Sequence, residues 1–416
     1  MPLDLHTIRT HFPALKRPEI FLDNPGGTQV ASSCIDRMIS YYKECNANHG
    51  GVFITSRKSD ALIEDTRQAM ADFINAARKE EIIFGPNMTT LTFHISRSLG
   101  RIFKPGDTIV VTHMDHDGNI SPWLMLAEDY NLRVRWVGFH PENGTLNLED
   151  LQAALEEKPR LVAFGYASNL LGTVNPVAKI TQMAHEAGAL VYVDAVQYVP
   201  HAPVDVQKLG VDFLVCSAYK FYGPHLGILY GRYDLLERLT AYKVRPAPAN
   251  PPEKFETGTG LFENIAGLLG ALEYIQWLGH TYGEEQHELY AGQYSGRKLT
   301  FKIAMAAIRA YDLELNRALL KTIQNTPGVK IYGVTDTREL EQRVPTFSFT
   351  KNGITPEEAA RKLAQQGIFV WNGNFYALAI TQRLGLEEKG GVIRVGAVHY
   401  NTIEEITRLE KALQTL

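Results

Sequence analysis

The chain has 416 residues, 45% of them hydrophobic and 21% charged, with a formal net charge of −4. That is the composition of a soluble globular protein, and the length exceeds one ordinary core, so two or three domains are expected. Lys and Arg are scattered without a basic block, no stretch approaches the ~20 apolar residues of a membrane helix, and MPLDLHTIRTHFPALKR lacks the apolar run of a signal peptide, which excludes nucleic-acid and membrane roles and leaves a cytoplasmic protein. Cys34, Cys45 and Cys216 are far apart with no CxxC spacing, so neither a disulfide framework nor a zinc site is expected, and a reducing compartment is the default.

From about residue 60 to 235, apolar runs alternate with amphipathic helical patterns. EEIIFG, DTIVVTH, RVRWVGF, PRLVAFGYAS, ALVYVDAV, DFLVCSAY and GILYGR read as strands rich in Val, Ile and Phe on both faces. That is the pattern of a mainly parallel sheet covered by helices, an α/β fold. LNLEDLQAALEEK and PVAKITQMAHEAG read as helices, the second closing on Gly188. The Pro- and Gly-rich PAPANPPEKFETGTG marks a loop or boundary. A long helical tract spans about 262–326. GVKIYGV, VPTFSFT, a helix near TPEEAARKLAQQ, the strands GIFVW and GVIRVGAV, and the helix TIEEITRLEKAL then form a smaller α+β unit. The expected division is an N-terminal segment 1–20, a large domain 21–270 and a small domain 271–416.

Ligands of such sheets bind beyond the carboxyl ends of the strands, so the polar residues just after each strand are the ones to question. A strand-end Asp is commonly a helix cap, and an isolated Lys is commonly a solvated charge. Asp194, closing VYVD, and Lys220, in SAYKFYG, together fit one task. Pyridoxal phosphate (PLP) catalysis needs a lysine to form an imine and an acid to keep the pyridine nitrogen protonated. The crowding of His113, Asp115, His116 and Asp117 raises a metal site as a rival. Two strand-end His with hard oxygens and no later partner make a poor zinc set, so no metal is expected.

The ordered blocks FLDNPGG, MDHDGNISPW, ASNLLGTVNP, VYVDAVQ, SAYKFYGPHLGILYG, KFETGTG and IRVGAVHYNTIEEI make the chain resemble the class V aminotransferase family, in its cysteine desulfurase and selenocysteine lyase branch. The resemblance runs from about residue 15 to the C-terminus. It implies a PLP fold type I architecture with a seven-stranded sheet, and a homodimer with active sites at the subunit interface. It implies that Lys220 carries the cofactor as a Schiff base, that His116 stacks on its ring, and that Asp194 pairs with the ring nitrogen. Asn169 and Gln197 would reach the phenolic oxygen. Thr89, the amides around Met88 and Ser217 would hold the phosphate, a task suited to a helix N-terminus. Thr259 would reach the phosphate of the partner subunit. Arg394 would clamp a substrate carboxylate, with Arg57 a second candidate for an anionic substrate and Asn372 and Tyr376 in the substrate loop.

The chain departs from that branch where the catalytic cysteine belongs. The family's stretch resembles R-A-G-H-H-C-A; here it reads Trp371-Asn372-Gly373-Asn374-Phe375-Tyr376-Ala377, with Tyr376 in the cysteine's place and Trp371 in the arginine's. Tyr219 also replaces a His before the lysine, and Met88 a Thr in the phosphate loop. A thiolate is required to take sulfur as a persulfide, and a phenol cannot do so. The expected activity is therefore a PLP-dependent C–S (or C–Se) β-lyase without a protein persulfide. Amino-group transfer is the alternative reading, and a non-catalytic binding or regulatory protein the alternative of another class. The aromatic pair Phe375 and Tyr376 points to a substrate bulkier or less polar than cysteine.

Overall fold

The computed structural model describes residues 2–416. Seven strands, β1 (Ile82–Gly85), β2 (Thr108–Thr112), β3 (Arg133–Val137), β4 (Leu161–Gly165), β5 (Leu190–Asp194), β6 (Phe213–Ser217) and β7 (Gly227–Gly231), form one sheet in the order β1-β7-β6-β5-β4-β2-β3. Neighbours are parallel except at β7, which runs antiparallel to both β1 and β6. The expected α/β fold with a mainly parallel seven-stranded sheet is the one found.

The apolar runs are explained by burial on both faces. Along β4, Leu161 and Ala163 enter one core while Val162 and Phe164 enter the other; along β6, Phe213 and Val215 alternate in the same way with Leu214 and Cys216. Side chains of a strand point alternately to opposite faces, so two covered faces demand an unbroken apolar run. The principal helices are α1 (Ser32–Glu44), α2 (Ile54–Ile74), α3 (Met88–Gly100), α4 (Ser121–Tyr130), α5 (Leu148–Glu156), α6 (Val177–Glu186), α7 (Phe262–Tyr282), α8 (Gly296–Gln324), α9 (Pro356–Gln365) and α10 (Ile403–Gln414). Helices α3 and α4 cover one face, through Leu91, Ile95, Trp123 and Leu126. Helices α2, α5, α6 and α7 cover the other.

The tract expected to be helical from 262 to 326 is interrupted. Helix α7 ends at Tyr282, and α8 begins at Gly296 after two short turns. Gly283 and Gly292 fall in the interruption and Gly296 opens α8, and glycine favours helix ends and turns over helix interiors. Beyond α8, four strands, β8 (Val329–Tyr332), β9 (Thr346–Lys351), β10 (Trp371–Gly373) and β11 (Val392–Gly396), form an antiparallel sheet in the order β8-β9-β11-β10. Its core packs Phe347, Phe349, Ile393 and Val395 against Leu315, Leu319, Leu363 and Leu409 of α8, α9 and α10. The expected single strand GIFVW divides. Ile368–Phe369 pairs in parallel with Ile20–Phe21, and only Trp371–Gly373 joins the small sheet. Periodicity reports an extended backbone but not its partner.

Helix α7 lies close against α1. The hydroxyl of Ser33 donates to Gly270 O at 2.7 Å, and a Cβ on Gly270 would stand 2.2 Å from Ser33 O and 2.7 Å from the Cys34 Cα. Gly270→Ala is therefore expected to cost about 1–3 kcal/mol by overpacking, seen as a lower urea midpoint with an unchanged slope. Gly292→Ala is the control, because nothing lies within 4 Å of its Cβ position; its midpoint should not fall.

Candidate active site

The carboxyl ends of β4, β5 and β6 open on a cavity of about 500 Å³ lined by residues of both sheets. Asp194 is the last residue of β5 and Ser217 the last of β6, so strand direction alone delivers both to this rim. The antiparallel β7 does not interrupt it. Its first residue, Gly227, pairs with Ser217 on one side and with Gly85, the end of β1, on the other. A Cβ on Gly227 would fall 2.4 Å from the Asn87 carbonyl carbon, so glycine here lets the loop after β1 fold down to the cavity.

Lys220 ends a short turn after β6 and is only 7% exposed. Its Nζ donates to Pro25 O, and Gln197 Nε2 donates to the same carbonyl at 2.8 Å. Burial, reinforced by the charge of Arg394, lowers the lysine pKa from 10.5 to about 7, against the opposing pull of Asp194 and Asp23. Asp194 accepts from Val196 N at 2.9 Å, and burial raises its pKa to about 6, opposed by that hydrogen bond and by Lys220. At neutral pH the wall thus holds an acid largely ionised and an amine close to its midpoint, the poise required of proton-transfer groups.

His116 sits in the loop after β2. Its Nδ1 accepts from Gly118 N at 2.9 Å, which leaves Nε2 to carry the ring proton. Burial and the charges of Lys220 and Arg394 depress its pKa to about 4, against Asp117, so the imidazole is neutral at pH 7. Asp115 accepts from Thr112 Oγ1 and from Asn119 Nδ2, and Asn119 Oδ1 accepts from Trp123 Nε1 at 3.1 Å. Buried beside Asp194, Asp115 is raised to about 8. His113 instead turns to Val137 O and the Trp136 ring, and Asp117 accepts from Ser121. The crowded acids and histidines of this loop therefore diverge; among the described residues no group of three or more His, Cys, Asp or Glu could hold a metal ion. At the other end of the cavity, Asn87 caps α3 by accepting from Thr90 N at 2.8 Å, and Met88 and Thr89 of its first turn line the wall with Ser217.

The small sheet supplies the remaining wall. Arg394 lies on β11, directly opposite Trp371 of β10, so the two side chains share a face. The guanidinium is 4% exposed, donates through Nη1 to Asn169 O at 2.9 Å and stands 3.9 Å from the Phe375 ring centroid. Burial lowers its pKa to about 9, opposed by Asp23 and Tyr219, which leaves it charged at neutral pH. Its Nε is buried with no partner, as is Asn169 Oδ1. Asn169 Nδ2 donates to Phe375 O at 2.9 Å.

The fold thus gathers Met88, Thr89, His116, Asn169, Asp194, Gln197, Ser217, Lys220, Asn372, Tyr376 and Arg394 around one cavity. Two candidates lie outside it. Thr259 is exposed in the loop before α7, and Arg57 is exposed in the first turn of α2. Cys34, Cys45 and Cys216 are all buried, and none lines the cavity. Burial raises the Cys34 thiol to about 12 and lifts Cys216 further. Sequence reading passed over Pro25 and Gly26 and the packing role of Phe375. FLDNPGG was visible as a motif, but a backbone carbonyl that receives two side chains leaves no trace in residue identity.

The sequence pattern described as Aminotransferase class-V matches residues 20–300 and 291–409. The aminotransferase-like protein FGM3 of Gibberella zeae is 34% identical over 419 residues, covering 99% of this chain and 98% of that protein. A probable cysteine desulfurase of Streptomyces coelicolor is 32% identical over 438 residues, covering 99% and 97%. Among solved structures, the apo cysteine desulfurase of Thermococcus onnurineus NA1 matches with a TM-score of 0.87 at 26% identity, covering 100% of this chain and 98% of that one. Class V aminotransferases and cysteine desulfurases are PLP-dependent enzymes. With the motifs, the sheet order and these relatives in agreement, the chain belongs to the class V aminotransferase family, in its cysteine desulfurase-like branch.

Proposed function

We propose that this protein is a PLP enzyme acting on an amino acid, with C–S (or C–Se) β-lyase chemistry that leaves no persulfide on the chain. The observation that carries the reading is the burial of Lys220, Asp194 and Arg394 in one cavity, with hydrogen-bonding capacity left over for ligands. The donor set fits the cofactor. Asn169 and Gln197 each spend one amide N–H on a carbonyl and retain a second. Thr89, Ser217 and the first amides of α3 suit a phosphate, since a helix N-terminus favours an anion. Lys220 would hold the cofactor covalently, His116 would face its ring, Asp194 its ring nitrogen, and Asn169 and Gln197 its phenolic oxygen. Thr259 would serve the phosphate of a second copy in a homodimer. The three unpaired thiols suit a reducing cytosol.

When bound, the cofactor supplies an electron sink for the pair released at the substrate's α-carbon. The chain's own part is positioning and proton transfer. Arg394, held by Asn169 O and the Phe375 ring, binds the substrate carboxylate through its remaining N–H groups. Lys220 takes the α-proton at Nζ and returns it where the leaving group or product needs it. Asp194, anionic above pH about 6, holds the proton on the ring nitrogen. Tyr376 stands where a sulfur-accepting cysteine would be needed, so sulfur would leave into solution as sulfide or a free thiol. Amino-group transfer is a second reading, favoured by the aminotransferase-like name of the Gibberella relative; the same residues serve it, and a 2-oxo acid acceptor distinguishes it. Retention of Lys220, Asp194, His116 and Arg394 argues against a non-catalytic binding role.

Three outcomes test this reading. The lysine reacts as the free base, so capture of PLP by the apoprotein should speed up about tenfold per pH unit below 7 and level off above it. A rate that climbs on toward pH 10, or borohydride-fixable cofactor on Lys220→Ala, would remove Lys220 from the role. Asp194→Asn should lower turnover more than tenfold, at least about 1.4 kcal/mol in the barrier, with a much smaller loss of PLP affinity; a smaller rate loss means that Asp194 is not the ring acid. After incubation with cysteine, mass spectrometry should find no alkylation-trappable sulfur adduct on Cys34, Cys45 or Cys216, and such an adduct would restore a sulfur-transferase role.

A further inference from the structure

Among the described residues of this chain, the cations that line the cavity are Lys220 and Arg394, and the acids are Asp115 and Asp194. On the functional reading above, Lys220 and Asp194 belong to the cofactor and Arg394 to the substrate carboxylate. The wall also carries aromatic surface: in the single chain Tyr376 is 74% exposed and Trp371 49% exposed, and both border the cavity.

These rings are held in place by the fold. Phe375 and Tyr376 adopt φ of 56° and 58°, a left-handed conformation that bulky residues avoid. Such strain persists only where surrounding structure enforces it. Here Asn169 Nδ2 donates to Phe375 O at 2.9 Å, Asp117 N to Tyr376 O at 2.6 Å, and Tyr376 N to Asn374 Oδ1 at 3.1 Å. Asn374 is itself tied to Glu387 at 2.8 Å. The result places Phe375 across the Arg394 guanidinium and the Tyr376 ring 5.5 Å from that of His116. Trp371, opposite Arg394 in register, is laid on the backbone of Gly26, where a Cβ would meet its Nε1 at 2.4 Å.

We propose that Trp371 and Tyr376 are specificity determinants that receive the substrate's side chain, selecting an amino acid with a ring-bearing side chain over a small one. The inference rests on the assignment of Arg394 to the substrate carboxylate. A ring stacked between or against such aromatics gains contact beyond simple burial.

The test is equilibrium binding to the PLP-loaded enzyme of unreactive carboxylates, measured by calorimetry. 3-Phenylpropanoate should bind at least ~10-fold more tightly than propanoate. Trp371→Ala and Tyr376→Ala should each reduce the phenylpropanoate-to-propanoate ratio by ~3-fold or more. A ratio near one in the unmodified enzyme, or a ratio that neither variant moves, overturns the proposal. That includes the case where the variants change the oligomeric state alone, which would assign the rings to contacts between copies. Arg394→Ala separates the two readings. If it weakens propanoate and 3-phenylpropanoate alike while the ratio stays high, the clamp and the aromatic wall both stand. If propanoate depends on Arg394 but the ratio is near one, only the aromatic wall fails. If Arg394→Ala leaves every affinity unchanged, the clamp fails and the proposal with it.

Discussion

Pro25 O receives Lys220 from one side and Gln197 from the other, while the proline ring lies so close to Gly396 that a Cβ there would stand 2.0 Å from Pro25 Cγ. The short segment that carries it joins the two sheets. Ile20 and Phe21 pair with Ile368 and Phe369, and Asn24 Nδ2 reaches Gly396 O and Asn401 Oδ1. Trp371 packs over Gly26, and Thr28 N donates to Tyr219 O at 3.1 Å. This crosspiece gives the lysine of the large sheet and the arginine of the small one a shared neighbour, beside the direct bond from Arg394 to Asn169 O. Backbone carbonyls and close-packed glycines suit the task because they fix position without adding charge to a cavity already crowded with it.

Burial then governs the electrostatics. Lys220, Asp194, Asp115, His116 and Arg394 are all moved toward their neutral forms, first by desolvation; like charges reinforce the shift, as Arg394 does on Lys220 and Asp194 on Asp115, and opposite charges oppose it. An isolated buried charge is expensive, so a fold that gathers five such groups must supply compensation. Part of it comes from carbonyls, Pro25 O for Lys220 and Asn169 O for Arg394, and part from the Phe375 ring over the guanidinium. Some is left unsupplied: Arg394 Nε and Asn169 Oδ1 are buried and unpaired. Arg343 Nε, away from the cavity, is buried and unpaired as well, so it is the open space beside Arg394 and Asn169, and not the missing bonds alone, that marks the site.

A second buried arginine shows the contrast. Arg343 lies over the Phe347 ring at 3.6 Å and donates to Val334 O, Leu171 O and Thr346 O, tying the 168–174 turn to the small sheet. Ser348 Oγ adds a bond to Leu170 O at 2.6 Å. Arg343 is not among the residues lining the cavity, and its carbonyl partners satisfy both Nη atoms, although its Nε, like that of Arg394, is buried without a partner; it acts as a fastener. By anchoring the turn that contains Asn169 it also places the carbonyl that Arg394 needs. The two arginines are alike in burial and differ in whether hydrogen-bonding capacity faces an open space.

Much of this was legible along the chain. Apolar runs without alternation announced strands covered on both faces, because a parallel sheet leaves no face for polar residues. Asp194 and Lys220 were legible because each follows a strand end, where an α/β sheet exposes its chemistry. The expectation that Tyr376 stands in the place of a cysteine came from residue identity alone. Other features were decided only by the tertiary structure. GIFVW split between two partners because extended residues carry no label for the strand they pair with. Glycines broke the long helical tract at positions that periodicity had bridged. Pro25 became the meeting point of Lys220 and Gln197 through an atom that every residue possesses. The left-handed backbone at Phe375 and Tyr376 arises from long-range bonds to Asn169 and Asp117. Residue identity and local period sufficed where chemistry is carried by a side chain at a strand end; where it is carried by backbone atoms and contacts between distant segments, only the folded chain could decide.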